Sequence, residues 1–95
     1  MAEYRVTRWA EIPSLVTARD GSGATAKVEL PGRFQEAIDE AAMRRGMAGS
    51  DAYLEQWQHD DWRETDGPAG EVAARVAAEL DAEHPPDALE RMVSA

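Results

Sequence analysis

Residues 26–57, "AKVELPGRFQEAIDEAAMRRGMAGSDAYLEQW", join one alternating strand to two helical runs. Ala26, Val28 and Leu30 fall on one side of the strand, and Thr25, Lys27 and Glu29 on the other, until Pro31-Gly32 ends the pattern. A helix over about 32–45 follows, with Phe34, Ala37, Ile38, Ala41 and Ala42 in one apolar stripe. Gly46 stands where a left-handed helix stop belongs, and Arg44 and Arg45 face the negative end of the helix dipole. Ser50 then reads as the N-cap of a second, shorter helix with Asp51 in its first turn and Tyr53, Leu54 and Trp57 on its buried face. The fold depends on where the 25–30 strand finds partners.

The upstream sequence offers two. "EYRVTRW" (3–9) places Tyr4, Val6 and Arg8 opposite Arg5, Thr7 and Trp9, and "SLVTAR" (14–19) places Val16 and Ala18 opposite Leu15 and Thr17. Asp20-Gly21-Ser22-Gly23 is a turn signal before the third strand. The expected architecture is therefore α+β: a three-stranded antiparallel sheet followed by two helices packed on one of its faces. Downstream, 59–69 is polar and turn-rich and reads as a linker. A third helix over about 68–83 carries Val72, Ala73, Val76, Ala77 and Leu80, and a last turn or two holds Leu89, Met92 and Val93. Residues 63–95 carry eight acids against three arginines, so they are expected to form an acidic, alanine-rich helical arm beyond an α+β domain of residues 1–62.

Composition narrows the function classes. The 95 residues suffice for one small core, and the absence of cysteine removes disulfides, thiolate metal sites and cysteine nucleophiles. The formal net charge of −9 disfavours broad contact with nucleic acid and suits a protein partner with a basic surface. "MAEYRVTRW" has charges where a secretory signal needs an apolar core, and no run reaches membrane-spanning length, so a cytoplasmic location without membrane insertion is expected.

No phosphate loop, dinucleotide fingerprint or nucleophile elbow is present, and His59 and His84 lie apart, without a second ligand at metal spacing. The expectation is a non-enzyme without metal or cofactor. Arg5, Lys27, Arg44, Arg45, Ser50 and Trp62 are the candidate contacts for a partner or an anion. Arg5 and Lys27 share the mixed outer sheet face with Thr7, Leu15, Thr17, Thr25 and Glu29. Arg44, Arg45 and Ser50 flank the helix corner, and Trp62 lies among charges outside any apolar stripe.

Two resemblances bear on this reading. Residues 26–57 resemble a ribbon-helix-helix unit. That likeness implies a dimer pairing the strand across a two-fold axis, with Thr25, Lys27 and Glu29 in the major groove and Gly49 and Ser50 at a phosphate. It requires that no strand of the same chain pair with 25–30. The longer likeness runs through "VTRWAEIPSLVTARDG" (6–21), "TAKVELPGRFQEAIDEAAMRRG" (25–46) and "SDAYLEQW" (50–57), and covers about residues 4–58. Trp9, Ile12, Pro13, Val16, Thr25 to Lys27, Arg33, Phe34, Ala37 to Asp39, Ala42 to Arg44, Gly46, Ser50 to Leu54 and Trp57 follow the pattern of the bacterial virulence factor domain family. Ala10, Glu11, Ser14 and Leu15 depart from it. This resemblance implies an accessory or docking module that binds a protein partner, loosely associated with folate and corrinoid one-carbon enzymes. An oligomer is compatible with either likeness.

Overall fold

The computed structural model describes residues 1–94. Its order is β1 (Ala2–Trp9), β2 (Ile12–Asp20), β3 (Thr25–Glu29), α1 (Gly32–Arg44), α2 (Asp51–Glu55), β4 (Trp57–His59), β5 (Arg63–Thr65), α3 (Ala69–Glu83) and α4 (Pro86–Ser94). The strands form one sheet in the order β3-β2-β1-β4, with β5 also on β1. The α+β class holds, and the three expected strands pair antiparallel. The sheet has five strands rather than three, and four helices are present.

Alternation sets the register. Val6 lies opposite Val16, and Val16 opposite Val28; Tyr4, Ala18 and Ala26 form the next row on the same face. Pro13 fits inside β2 because the register shifts at Thr7/Arg8, where Ser14 is the extra residue on β2. Such a bulge tolerates a residue that cannot donate to the ladder. The β1–β2 connection is Ala10-Glu11, and Ala10 takes a positive φ of 52°, as tight hairpin turns demand.

β4 and β5 correct the reading of 59–69 as a linker. Both pair with β1, Trp57 opposite Trp9 and Arg63 opposite Tyr4, and both cover the edge that β2 leaves free. An unpaired β1 edge would expose its N–H and C=O groups, and three-residue segments on either side of Asp60–Trp62 satisfy them.

The helices depart from expectation in which of them covers the sheet. α1 buries all five residues of its stripe. It ends in a Schellman motif in which the Met47 N–H donates to Ala42 O (2.8 Å) and the Gly46 N–H to Met43 O (3.2 Å), with Gly46 at φ +69°. It packs mainly on α4 and on β2. α2 has only five residues and buries none, and Leu54, expected in the core, is 65% exposed. The chain must leave α2 at Glu55 to bring Trp57 into β4, so no second turn exists to dock that side chain. α3 is the helix that lies on the sheet, mostly over β2 and β3, with Ala69, Val72, Ala73, Val76, Ala77 and Leu80 buried. With Leu89 and Val93 of α4, these join Trp9, Ile12, Val16, Phe34 and Ile38 in one cluster. The alanine-rich segment is therefore packed into the core rather than held out as an arm. Small side chains bring its backbone close to the sheet.

Asp20 ties the two ends of this arrangement together. Its Oδ1 accepts from the Ser22 hydroxyl (2.5 Å) and the N–H groups of Ser22 (2.9 Å) and Ala24 (3.3 Å), while Oδ2 accepts from the Ala69 N–H at the start of α3 (2.8 Å). These donors, led by the Ser22 hydroxyl and followed by the Ala69 amide, hold its carboxyl well below the ordinary 3.8, at about 2. A depressed folded-state pKa contributes stability above the unfolded value and loses it as pH falls from about 4 towards 2. Thermal melts from neutral pH down through this window should show that Asp20→Asn flattens the acid limb of the stability curve. An unchanged acid limb would exclude this linkage.

Candidate functional site

Because side chains alternate along each strand, the face of the sheet turned away from α3 carries Glu3, Arg5 and Thr7 of β1, Leu15, Thr17 and Arg19 of β2, and Thr25, Lys27 and Glu29 of β3. Arg19, Thr25, Lys27 and Glu29 are exposed, and Glu3, Arg5, Thr7 and Leu15 are half-buried. Thr17, opposite Arg5 on one side and Lys27 on the other, is buried at 8% exposure. The next row places Glu3 opposite Arg19, whose guanidinium donates to Glu3 Oε2 from Nε (2.9 Å) and Nη2 (2.7 Å).

Trp62 reaches this face from the connection between β4 and β5. The Arg5 guanidinium lies 4.7 Å from the centre of its indole, and that of Arg19 lies 3.9 Å away. Each such contact stabilises by about 0.5–1 kcal/mol at a partly exposed site, so the three side chains hold one another in place. Two expected contacts, Arg5 and Trp62, thus meet on one surface with Lys27, two strands across. Arg19 was missing from the expected set, although the alternation through 14–19 already puts it on the side of Thr17. His59 adds to the rim, with Nδ1 hydrogen-bonded to Thr7 Oγ1 at 2.8 Å. The neighbouring acid, Asp60, does not orient that imidazole; it accepts from Arg8 Nε at 3.0 and 3.2 Å. The pair therefore lacks the third group that would activate a hydroxyl.

The corner residues lie elsewhere and are engaged locally. Arg44 pairs with Glu40 one turn back (2.9 Å). Arg45 donates to Glu11 Oε1 (2.7 Å) and Met92 O (3.3 Å) and lies over Trp9, joining the β1–β2 turn to α4. That hydrogen bond is the leading cause of the lowered pKa of Glu11. Ser50 has the extended backbone of an N-cap, but its hydroxyl donates back to Met47 O (2.6 Å) and caps no amide of α2. The corner stops one helix and starts another, with both arginines spent on its own chain.

The ribbon-helix-helix expectation fails at β3. That strand pairs with β2 of its own chain along its whole length, so Thr25, Lys27 and Glu29 belong to a broad sheet face rather than a two-stranded ribbon. The helix that should hold a phosphate has five residues and no side-chain cap.

A cleft of about 190 Å³ opens on the other side of the β1 edge, between Tyr4, Arg8, Asp60 and Arg63 and the Glu79 and Glu83 side chains of α3. Among the described residues, no cluster of three or more His, Asp or Glu is placed to hold a metal ion, and no helix is long and apolar enough to cross a membrane.

A family model described as "Virulence factor" matches residues 7–93. The chain belongs to the virulence factor family. The match runs past the sequence likeness at 4–58 and takes in the end of β1, β2 to β5, α1 to α3 and nearly all of α4, so the helices beyond residue 58 belong to the family's unit as much as the sheet does. Neither the curated proteins nor the solved structures contain a match to this virulence factor family chain.

Proposed function

We propose that this virulence factor family chain is a non-catalytic docking module that holds a protein partner on the open face of its sheet. One observation supports the reading most: Arg5 and Arg19 stack on a half-buried Trp62, with Lys27 on the same regular sheet face, in a chain whose net charge is −9. Tryptophan and arginine are the side chains most enriched where interfaces concentrate their binding energy. Arg5, Arg19 and Lys27 stand on strands and Trp62 is held by stacking on two of them, so little ordering is required on contact. The partner surface that fits offers carboxylates to Arg5 and Lys27 and an apolar side chain to the indole, while Glu3 holds Arg19 against the ring. The family's loose association with one-carbon metabolism makes a folate- or corrinoid-dependent enzyme the first such partner to assay.

The test is co-purification of the tagged chain from its native cells, repeated with Arg19→Glu combined with Trp62→Ala. Loss of a hot-spot pair should weaken retention by about thirtyfold, equivalent to roughly 2 kcal/mol. Arg44→Glu, at the distant corner, should retain the partner. Retention that survives the sheet-face change and is lost with the corner change would overturn the assignment of this face, and recovery of no stoichiometric partner would overturn the docking role.

A further inference from the structure

The edge of β3 that faces away from β2 makes no ladder among the described residues. Its hydrogen-bonding pattern is set by its two ends: the Asp20 N–H donates to Ala24 O (3.1 Å) and the Leu30 N–H donates to Ser14 O (3.0 Å). In an antiparallel pair, residues that bond the partner alternate with residues that do not. Ala24, Ala26, Val28 and Leu30 therefore bond β2, while Thr25, Lys27 and Glu29 direct their N–H and C=O groups outward. Neither a proline nor a register shift interrupts these five residues. Natural sheets usually shield such an edge.

We propose that β3 pairs with β3 of a second copy of this chain, about a two-fold axis through Val28, to give one continuous sheet across the dimer. The side chains select both the register and the occupant. With Val28 opposite its own copy, Lys27 of each chain stands opposite Glu29 of the other, so two unlike-charge pairs form on the open face. A register centred on Lys27 would instead set two lysines against each other. The edge is thus self-complementary, as an isologous interface must be.

The inner layer admits the same pairing. Arg75 reaches towards β5 to bond Thr65 Oγ1 (2.8 Å), and Glu79 and Glu83 border the cleft beside β1. The far flank of α3, on the β3 side, carries exposed Gly70 and Ala74 in its first half and, nearer its C-terminus, Asp81, whose charge Arg33 of the same chain engages. Two copies of α3 can approach over the seam on these small residues, adding apolar contact to the strand pairing. The resulting sheet is eight strands across (twice β3-β2-β1 and the shared β4/β5 edge), unlike the ribbon that enters a DNA groove. The dimer seam runs along the β3 edge, whereas the proposed partner would sit over Arg5, Arg19 and Trp62 towards β1, with Lys27 at the boundary of the two.

Sedimentation equilibrium on the full chain across the micromolar range is expected to show a species of twice 10.4 kDa. Lys27→Glu would set a second carboxylate against Glu29 at both symmetry-related positions and should raise the dimer dissociation constant about tenfold or more. Lys27→Glu combined with Glu29→Lys restores unlike pairs and should restore the dimer. Far-ultraviolet circular dichroism checks that each variant keeps the fold. A monomeric wild-type chain, a dimer indifferent to Lys27→Glu, or a double variant that stays monomeric would each overturn the proposal.

Discussion

Trp9→Ala should remove about a third or more of the domain's stability and lower its melting midpoint steeply, since truncating a buried tryptophan costs about 3–5 kcal/mol and a domain of this size is stable by only about 5–15 kcal/mol. Trp9 is fully buried, at 0% exposure. It is the last residue of β1, where Ile12 of β2 and Trp57 of β4 pair with it on either side. Its Nε1–H donates to Tyr53 O (2.9 Å), and its ring centre lies 5.6 Å from that of Tyr53. The substitution therefore opens a cavity at the junction of sheet and helices and leaves the Tyr53 carbonyl without its donor. Trp9→Phe keeps much of the volume and loses the donor, so its cost should be smaller, about 1–2 kcal/mol. Urea unfolding followed by circular dichroism measures both, with equal slopes indicating an unchanged unfolded state. A loss below about 1 kcal/mol for Trp9→Ala would contradict the placement of this side chain at the core's centre.

Local periodicity explains which elements could be read from sequence. β1, β2 and β3 alternate over at least five residues, and α1 and α3 carry stripes long enough to mark one face, so their positions and buried residues were legible. β4 is "WQH" and β5 is "RET", too short for any period to register. Their strand character comes from the open edge of β1 rather than from their own residues.

The polar ties were hidden for the same reason. Arg33 donates to the Asp81 carboxylate, to Asp81 O and to His84 O, closing the end of α3 from 48 to 51 positions away. Asp20 meets Ala69 across 49 positions, and Arg45 meets Glu11 across 34. A lone arginine or aspartate in a sequence gives no sign of such a partner. Of the candidate contacts, Arg5 and Lys27 could be placed on one face by alternation alone. The approach of Trp62 to that face could not, because it depends on β4 and β5.

A chain ending at Trp62 is expected to lose cooperative unfolding altogether. The composition shifts there from eleven acids against seven basic residues to eight against three, yet the removed part supplies β5, α3 and α4. Val72, Val76, Leu80, Leu89 and Val93 would leave the core, each burial worth about 1.5–3 kcal/mol. Their combined loss is on the order of the whole folding free energy of such a domain. Val6, Val16 and Ala18, which α3 shields, would face water as an apolar sheet surface. Asp20 would lose the Ala69 amide, and Arg33 would lose every acceptor it now has. The shortened chain should show no sigmoidal thermal transition and should bind a hydrophobic dye, whereas the full chain melts in one step. A cooperative melt of residues 1–62 near the full chain's midpoint would show that the sheet folds without α3. The family match to residue 93 argues for the first outcome, since the helices over the sheet are part of what the family shares.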